Sequence, residues 1–263
     1  MIMKIYDSEG NEKSEVKLPK VFSTKYNPRL IKKAFLIFSS SKRQPYGANP
    51  LAGKRSSAHY HGSRHYRFTM MNREMARISR IHGKVGYMAW RARIVPQSVK
   101  GRRAHPPKAE KIWTKKMNKK EMTAAIRSAI AASSNKQLVE KHGHKFNVSP
   151  IIIEDSLESI KKTKDIRKFL DKILKEEMKR CEKKKIKPGK AKIRGRKYKK
   201  KIGPLFIVSK DCGLKKAAKN IPGVTIATPD ELNIEMLAPG GQAGRLAILS
   251  NNALKELDKK FGG

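Results

Sequence analysis

The sequence predicts an α/β fold: a parallel sheet in a three-layer globular domain, into which a long basic extended loop is set. Three observations predict it. Short, wholly apolar runs of strand length recur along the chain, as buried parallel strands require. They alternate with segments of helical apolar period, the pattern of a sheet covered on both faces. Two further stretches follow neither period and are almost free of acid.

Each element has a local reason. Asn27-Pro28 places an N-cap before a proline at the first helical position, and Leu30, Ile31, Ala34, Phe35 and Phe38 line the helix that follows. Asn118, with Glu121 three residues on, resembles a capping box and opens a helix striped by Met122, Ala125, Ile126, Ala129 and Ile130. Pro150–Ile153 reads as a buried strand. Thr163 is placed to cap a helix with Ile166, Phe169, Leu170, Ile173 and Leu174 on one face. Pro204–Val208 is a second strand, Gly213–Asn220 a short helix and Val224–Ile226 a third strand. Thr228-Pro229-Asp230-Glu231 reads as a capping box that starts another helix. Leu246–Leu249 is a fourth strand, and Ser250 begins a terminal helix through Ala253, Leu254 and Leu257. On this reading residues 1–40 and 110–263 build one globular domain. Residues 41–109 are an extended arm inserted in it, and 183–203 a second basic excursion.

The chain has 263 residues, with 62 Lys+Arg against 22 Asp+Glu, a formal net charge of +40. Self-repulsion on that scale calls for a polyanionic partner, and nucleic acid is the first candidate. From Ser39 to Ala109 there are 16 Lys/Arg and one acid, Glu74; from Lys183 to Lys201 there are 12 Lys/Arg and no acid. The remainder holds 34 cations and 21 acids, a net of only +13. The excess is therefore concentrated in two contact surfaces. The first residues lack a signal-peptide apolar core and no apolar run approaches about 20 residues, so neither secretion nor a membrane partner is expected. Cys181 and Cys212 form no C-x-x-C pair, so no disulfide framework is expected.

Within 41–109, Tyr46, His59, Tyr60, His61, His65, Tyr66, Phe68, Tyr87 and Trp90 are interleaved with the cations. Arginine and lysine bind phosphate oxygens, and aromatic faces accept unpaired RNA bases. Gly47, Gly53, Gly62, Gly83, Gly86 and Gly101 allow close approach to a ribose-phosphate chain. So little apolar surface argues that the arm orders on binding. Pro106 and Pro107 enforce an extended return path, and Tyr198 is the stacking candidate of the second excursion. His59, His61 and His65 have no acidic or cysteine partners, so no metal or other cofactor is expected. The G-G-x-x-G of Ala238–Gly244 precedes a strand instead of following one, so it reads as a turn and not as a dinucleotide fingerprint. Phosphate-loop, nucleophile-elbow and metalloprotease sequences are absent, and no carboxylate pair lies in the basic region. An RNA-modifying or nucleotide-dependent enzyme, or a free RNA chaperone, is the alternative reading.

The segments RQPYGANPLAGKRSSA, VPQSVKGRRAHPPKAEK, AIRSAIAASS, GPLFIVS, KNIPGV and LNIEMLAPGGQAGRLAILSNNAL occur in order along the chain. Together they resemble the large-subunit ribosomal protein L-four family, of the archaeal type and similar to the eukaryotic one, from about Val21 onward. The resemblance implies a structural constituent of the large ribosomal subunit in the cytoplasm, not an enzyme and not a homo-oligomer. It implies binding to large-subunit rRNA, an arm reaching the polypeptide exit tunnel, and contacts with neighbouring ribosomal proteins, including the universal L-twenty-two protein, and with the nascent polypeptide. Gly62, Ser63, Arg64 and His65 would form the arm's tip, where members usually carry G-S-G-R or G-T-G-R and this chain has HGSRHYR. The candidate rRNA-binding residues of the arm are Lys42, Arg43, Gln44, Tyr46, Lys54, Arg55, His59, Tyr60, Arg67, Arg73, Arg77, Arg80, Lys84, Arg91, Arg93, Lys100, Arg102, Arg103, His105 and Lys108. Those of the second excursion are Lys190, Lys192, Arg194, Arg196 and Lys197.

Overall fold

The computed structural model of the protein describes residues 2–82, 86–146 and 148–262. The chain divides into two compact units, one made of Met1–Lys42 with Thr114–Gly263, the other of Arg43–Trp113.

The first unit opens on an antiparallel hairpin, β1 (Ile2–Tyr6) and β2 (Glu12–Lys17). Helix α1 (Pro28–Ser41) leads towards the second unit, and α2 (Lys119–Ser133) and α3 (Lys136–Lys141) follow it. Then come β3 (Ile151–Ile153), α4 (Thr163–Ile173), α5 (Lys175–Glu182) and two short strands, β4 (Lys185–Ile186) and β5 (Tyr198–Lys199). The chain closes with β6 (Leu205–Ile207), α6 (Gly213–Ala218), β7 (Thr225–Ala227), α7 (Ile234–Leu237), β8 (Ala247–Ser250) and α8 (Asn251–Phe261).

Six strands form one sheet in the order β2-β1-β3-β8-β6-β7. Every pairing in it beyond the first hairpin is parallel, with Ile152 opposite Leu249 and Phe206 opposite Ile248. Successive strand residues point to opposite faces, and here both faces are apolar. Ile152, Leu205, Ile207, Ala247 and Leu249 pack with buried residues of α1, α2, α7 and α8. Ile151, Ile153, Phe206 and Ile248 pack with those of α4, α5 and α6. The three-layer α/β architecture expected from the apolar runs is present. The antiparallel edge hairpin makes the sheet mixed, which those runs did not show.

Helix starts differ from expectation in three places. Asn27 and Ser250 cap as expected, accepting from Leu30 N and Ala253 N, each at 3.2 Å. Asn118 stands at the N-cap of α2 without a side-chain bond, and the Glu121 carboxylate, which a capping box would turn back to the Asn118 N–H, accepts from Lys33 Nζ at 2.7 Å. Thr163 is the first residue inside α4, with Lys162 at the cap. At Thr228 the box bonds form, Glu231 N donating to Thr228 Oγ1 at 3.4 Å and Thr228 N to Glu231 Oε2 at 3.5 Å. They close a turn, and the helix waits until Ile234. Leu232 and Ile234 are both buried; two residues apart on a helix, they would face nearly opposite ways.

At one end of β6 and β7 lies a buried arginine with no carboxylate. Arg245 donates to Gly203 O and Met236 O, each at 2.9 Å, and to Thr225 Oγ1 at 2.7 Å. Burial pulls its guanidinium down to about 10. Gly244, at φ +105°, lets the chain pass so close to Leu138 that a Cβ would meet Leu138 O at 2.5 Å. The APGGQAGR segment is thus a turn that delivers Arg245 to a ring of carbonyls.

The second unit has little regular structure. Among its described residues there is one short 3-10 turn, Gly86–Met88, and isolated bridges joining His59 to Arg80 and Arg80 to Ala92. Ala58, Met70, Ile81 and Arg93 are its buried residues. Among the described residues of the chain no helix is long and apolar enough to cross a membrane.

Candidate nucleic-acid interface

The second unit is held by its backbone and by aromatic contacts. Ala48 N donates to Pro107 O at 2.9 Å, joining the outgoing and returning segments. Next to this bond, Trp113 stacks on Tyr46 with centroids 5.5 Å apart, and carries Arg43 and Lys111 over its ring at 3.9 and 4.4 Å. Further out, His59 and Arg80 exchange backbone bonds of 3.2 and 3.0 Å, and Ile81 and Trp90 pair through a 3.1 Å bond. A bond of 2.9 Å from Met70 N to His61 O closes the loop that holds Gly62, Ser63, Arg64 and His65. Gly62 admits Tyr60, whose ring would lie 2.2 Å from a Cβ placed there. The other three tip residues are exposed.

Two arginines support this framework. Arg80 donates to Ala76 O and to Trp90 O, and Arg93, 8% exposed, donates to Ala92 O and Val99 O. Their guanidinium groups are spent on the chain itself. Arg102 is half-buried. The remaining described candidates all face solvent: Lys42, Arg43, Gln44, Tyr46, Lys54, Arg55, His59, Tyr60, Arg67, Arg73, Arg77, Arg91, Lys100, Arg103, His105 and Lys108. Lys84 and Gly83 lie outside the described residues.

The second excursion holds a small antiparallel ribbon. Lys185 pairs with Lys199 and Ile186 with Tyr198. Lys190, Lys192, Arg194, Arg196 and Lys197 are all exposed on it. Its start and end are tied to a buried charge cluster. Glu177, fully buried, accepts from His144 Nδ1 at 2.7 Å, from Lys145 N at 3.1 Å and from Arg180 Nε at 2.9 Å. Arg180 also donates to Ile202 O, which fixes the point where the excursion returns to the sheet. Burial works to raise the Glu177 carboxyl, but hydrogen bonds from His144 and Arg180 outweigh it and hold it at about 2.

The distribution of ion pairs sets the two basic stretches apart. Among the described residues, no cation of 43–113 or of 183–201 is in a salt bridge; the pairs lie elsewhere in the first unit. A surface of exposed cations that make no ion pair, interleaved with the exposed rings of Tyr46, Tyr60, Tyr66 and Tyr87, fits a polyanion that presents phosphates and bases together.

One structural group was not grouped correctly from sequence. His59 and His61 do come together, but their third neighbour is His82, not His65.

Fold and surface together define a nucleic-acid-binding protein, with an α/β body and basic contact segments set into its sequence. Residues 16–260 match the Ribosomal protein L4/L1 family. The chain is 44% identical over 261 residues to the large ribosomal subunit protein uL4 of Methanocaldococcus jannaschii, covering 98% of each chain. It is 43% identical over 266 residues to the uL4 of Nanoarchaeum equitans, covering 99% of this chain and 98% of that one. To the uL4 of Methanosphaera stadtmanae it is 40% identical over 262 residues, covering 98% and 96%. The chain belongs to the Ribosomal protein L4/L1 family.

Proposed function

We propose that the chain is a structural constituent of the large ribosomal subunit, in the cytoplasm, which binds rRNA through its two basic segments. The observation that carries this is the set of exposed cations in 43–113 and 183–201 that have no carboxylate partner. Neutralising phosphates releases counterions, which supplies affinity without any base-specific contact. The exposed tyrosines add stacking. Membership of a ribosomal-protein family makes the chain a structural protein and not an enzyme, and gives it rRNA and other ribosomal proteins as partners.

The insertion, residues 41–109 on the sequence reading, is the rRNA-binding arm. Backbone strain supports ordering by a partner: Trp90, Ile94 and Lys100 hold φ of 57°, 71° and 59°. Each such residue costs on the order of 1–3 kcal/mol, and the unit's few buried apolar side chains offset little of that. Arg80 and Arg93 shape the arm, while the exposed cations meet phosphate. Gly62–His65 form the tip at the polypeptide exit tunnel, beside the universal L-twenty-two protein and the nascent polypeptide.

Sedimentation tests the reading. The chain in a cell extract should migrate with large subunits at one copy per particle. Migration free of them, or at a small fraction of their number, would overturn it.

A further inference from the structure

We propose that His59, His61 and His82 form a transition-metal site, suited to zinc(II), which pins two crossing segments of the 43–113 unit together.

One ligand nitrogen of each residue lies within 4.8 Å of the other two. The rings are clustered, with centroids 3.9 Å apart for His59–His61, 4.6 Å for His59–His82 and 4.8 Å for His61–His82. Zinc–nitrogen bonds of about 2.0–2.1 Å in a tetrahedron place the nitrogens roughly 3.4 Å apart. The three imidazoles therefore need to close by little more than 1 Å, within the reach of rotations about their side-chain bonds.

Two of the rings have a backbone carbonyl beside one nitrogen. His59 Nδ1 lies 3.3 Å from Ser57 O, and His61 Nε2 lies 3.3 Å from Arg80 O. With the proton on each of those nitrogens, the other nitrogen of each ring keeps its lone pair for a metal. A backbone carbonyl that fixes the tautomer is the usual outer partner of a metal-bound imidazole.

Among the described residues, two neighbouring cations are engaged elsewhere. Arg80 donates to carbonyls of Ala76 and Trp90, and Arg73 lies over the Trp90 ring at 4.7 Å. Three imidazoles with no carboxylate suit zinc, copper or nickel, and not magnesium or calcium. His59 and His82 are exposed, so the fourth position is open to water or a phosphate oxygen. The site would lock the His59–Arg80 bridge, one of two isolated bridges among the described residues of this unit.

The test uses the full RNA-free chain, titrated with cobalt(II) as a spectroscopic probe and with zinc(II) in competition. One equivalent should bind with the visible bands of tetrahedral cobalt, and zinc should displace it. His61→Ala and His82→Ala should each weaken binding at least about 10-fold, whereas His65→Ala should not. Because metal binding and ordering are coupled, zinc should also slow amide exchange across 58–82 in the wild type and not in His61→Ala. The triple variant lacking His59, His61 and His82 keeps the other imidazoles and both cysteines, and controls for adventitious sites. Zinc binding by that variant equal to the wild type, with no change in exchange in either, would overturn the proposal. Retention of rRNA binding by a His61→Ala/His82→Ala double variant, which leaves His59 in place, would leave the RNA-binding role intact, so the two claims fail separately.

Discussion

Arg43 lies with its guanidinium 3.9 Å over the ring of Trp113, joining the first residue of the basic unit to the last. Tyr46 stacks on the same ring and Lys111 lies over it, and the Ala48–Pro107 bond lies next to them. An exposed cation–π pair contributes about 0.5–1 kcal/mol, and an aromatic pair a similar amount. Trp113→Ala should therefore loosen the base of the insertion, with faster amide exchange at Ala48 and its neighbours. Trp113→Phe should keep most of the protection. Equal exchange in wild type and Trp113→Ala would show that the clasp holds nothing.

Stacking and charge make separable contributions to RNA binding. Tyr66 is 73% exposed, so its ring is available to a base. Tyr66→Ala should lower affinity for an rRNA fragment by about 1–3 kcal/mol, the usual worth of one base–aromatic stack. Tyr66→Phe should keep it, and neither variant should change the salt dependence. A loss accompanied by a shallower salt slope would assign Tyr66 a different role.

Stability should fall in acid through Glu177. Its carboxyl is held at about 2 in the folded chain, against about 4.3 when unfolded. A depressed carboxyl contributes stability that is present above the unfolded value and lost as pH falls through the folded one. The window is thus about pH 4.3 down to about 2, and the contribution about 3 kcal/mol. Glu177→Gln leaves Arg180 and His144 without their partner and should cost about 3–5 kcal/mol at pH 7. Urea titrations across this range should show a flatter pH dependence in the variant. Parallel curves for the two proteins would contradict the assignment.

Much of the body was legible because its signals are local. The strands β3, β6, β7 and β8 are short apolar runs, and α1, α2, α4 and α8 carry an apolar stripe. The hairpin strand β2, EKSEVK, is almost wholly exposed at the sheet edge, so no apolar period marks it. In α5, KEEMKRCE, Glu177 is buried as the partner of His144 and Arg180, and charge there reads as surface. Arg245 was missed because its partners, Gly203, Thr225 and Met236, come together only in the folded sheet. The excess of cations in 41–109 is a matter of counting. Which of them turn inward, as Arg80 and Arg93 do, depends on carbonyls placed by nonlocal bridges. The same bridges bring His82 to His59.

The central claim is that exposed, unpaired cations of the insertion are neutralised by rRNA phosphates, and the salt dependence of binding tests it most directly. Lys54, Arg55, Arg77, Lys100, Arg103 and Lys108 are exposed and in no salt bridge. Affinity for the rRNA fragment should fall steeply between 50 and 200 mM salt, about 10⁴-fold for ten phosphate contacts. Replacing all six residues by glutamine should reduce the slope of log K against log salt by about 4 to 5, at about 0.7–0.9 per phosphate. A slope identical to that of the wild type would contradict the account.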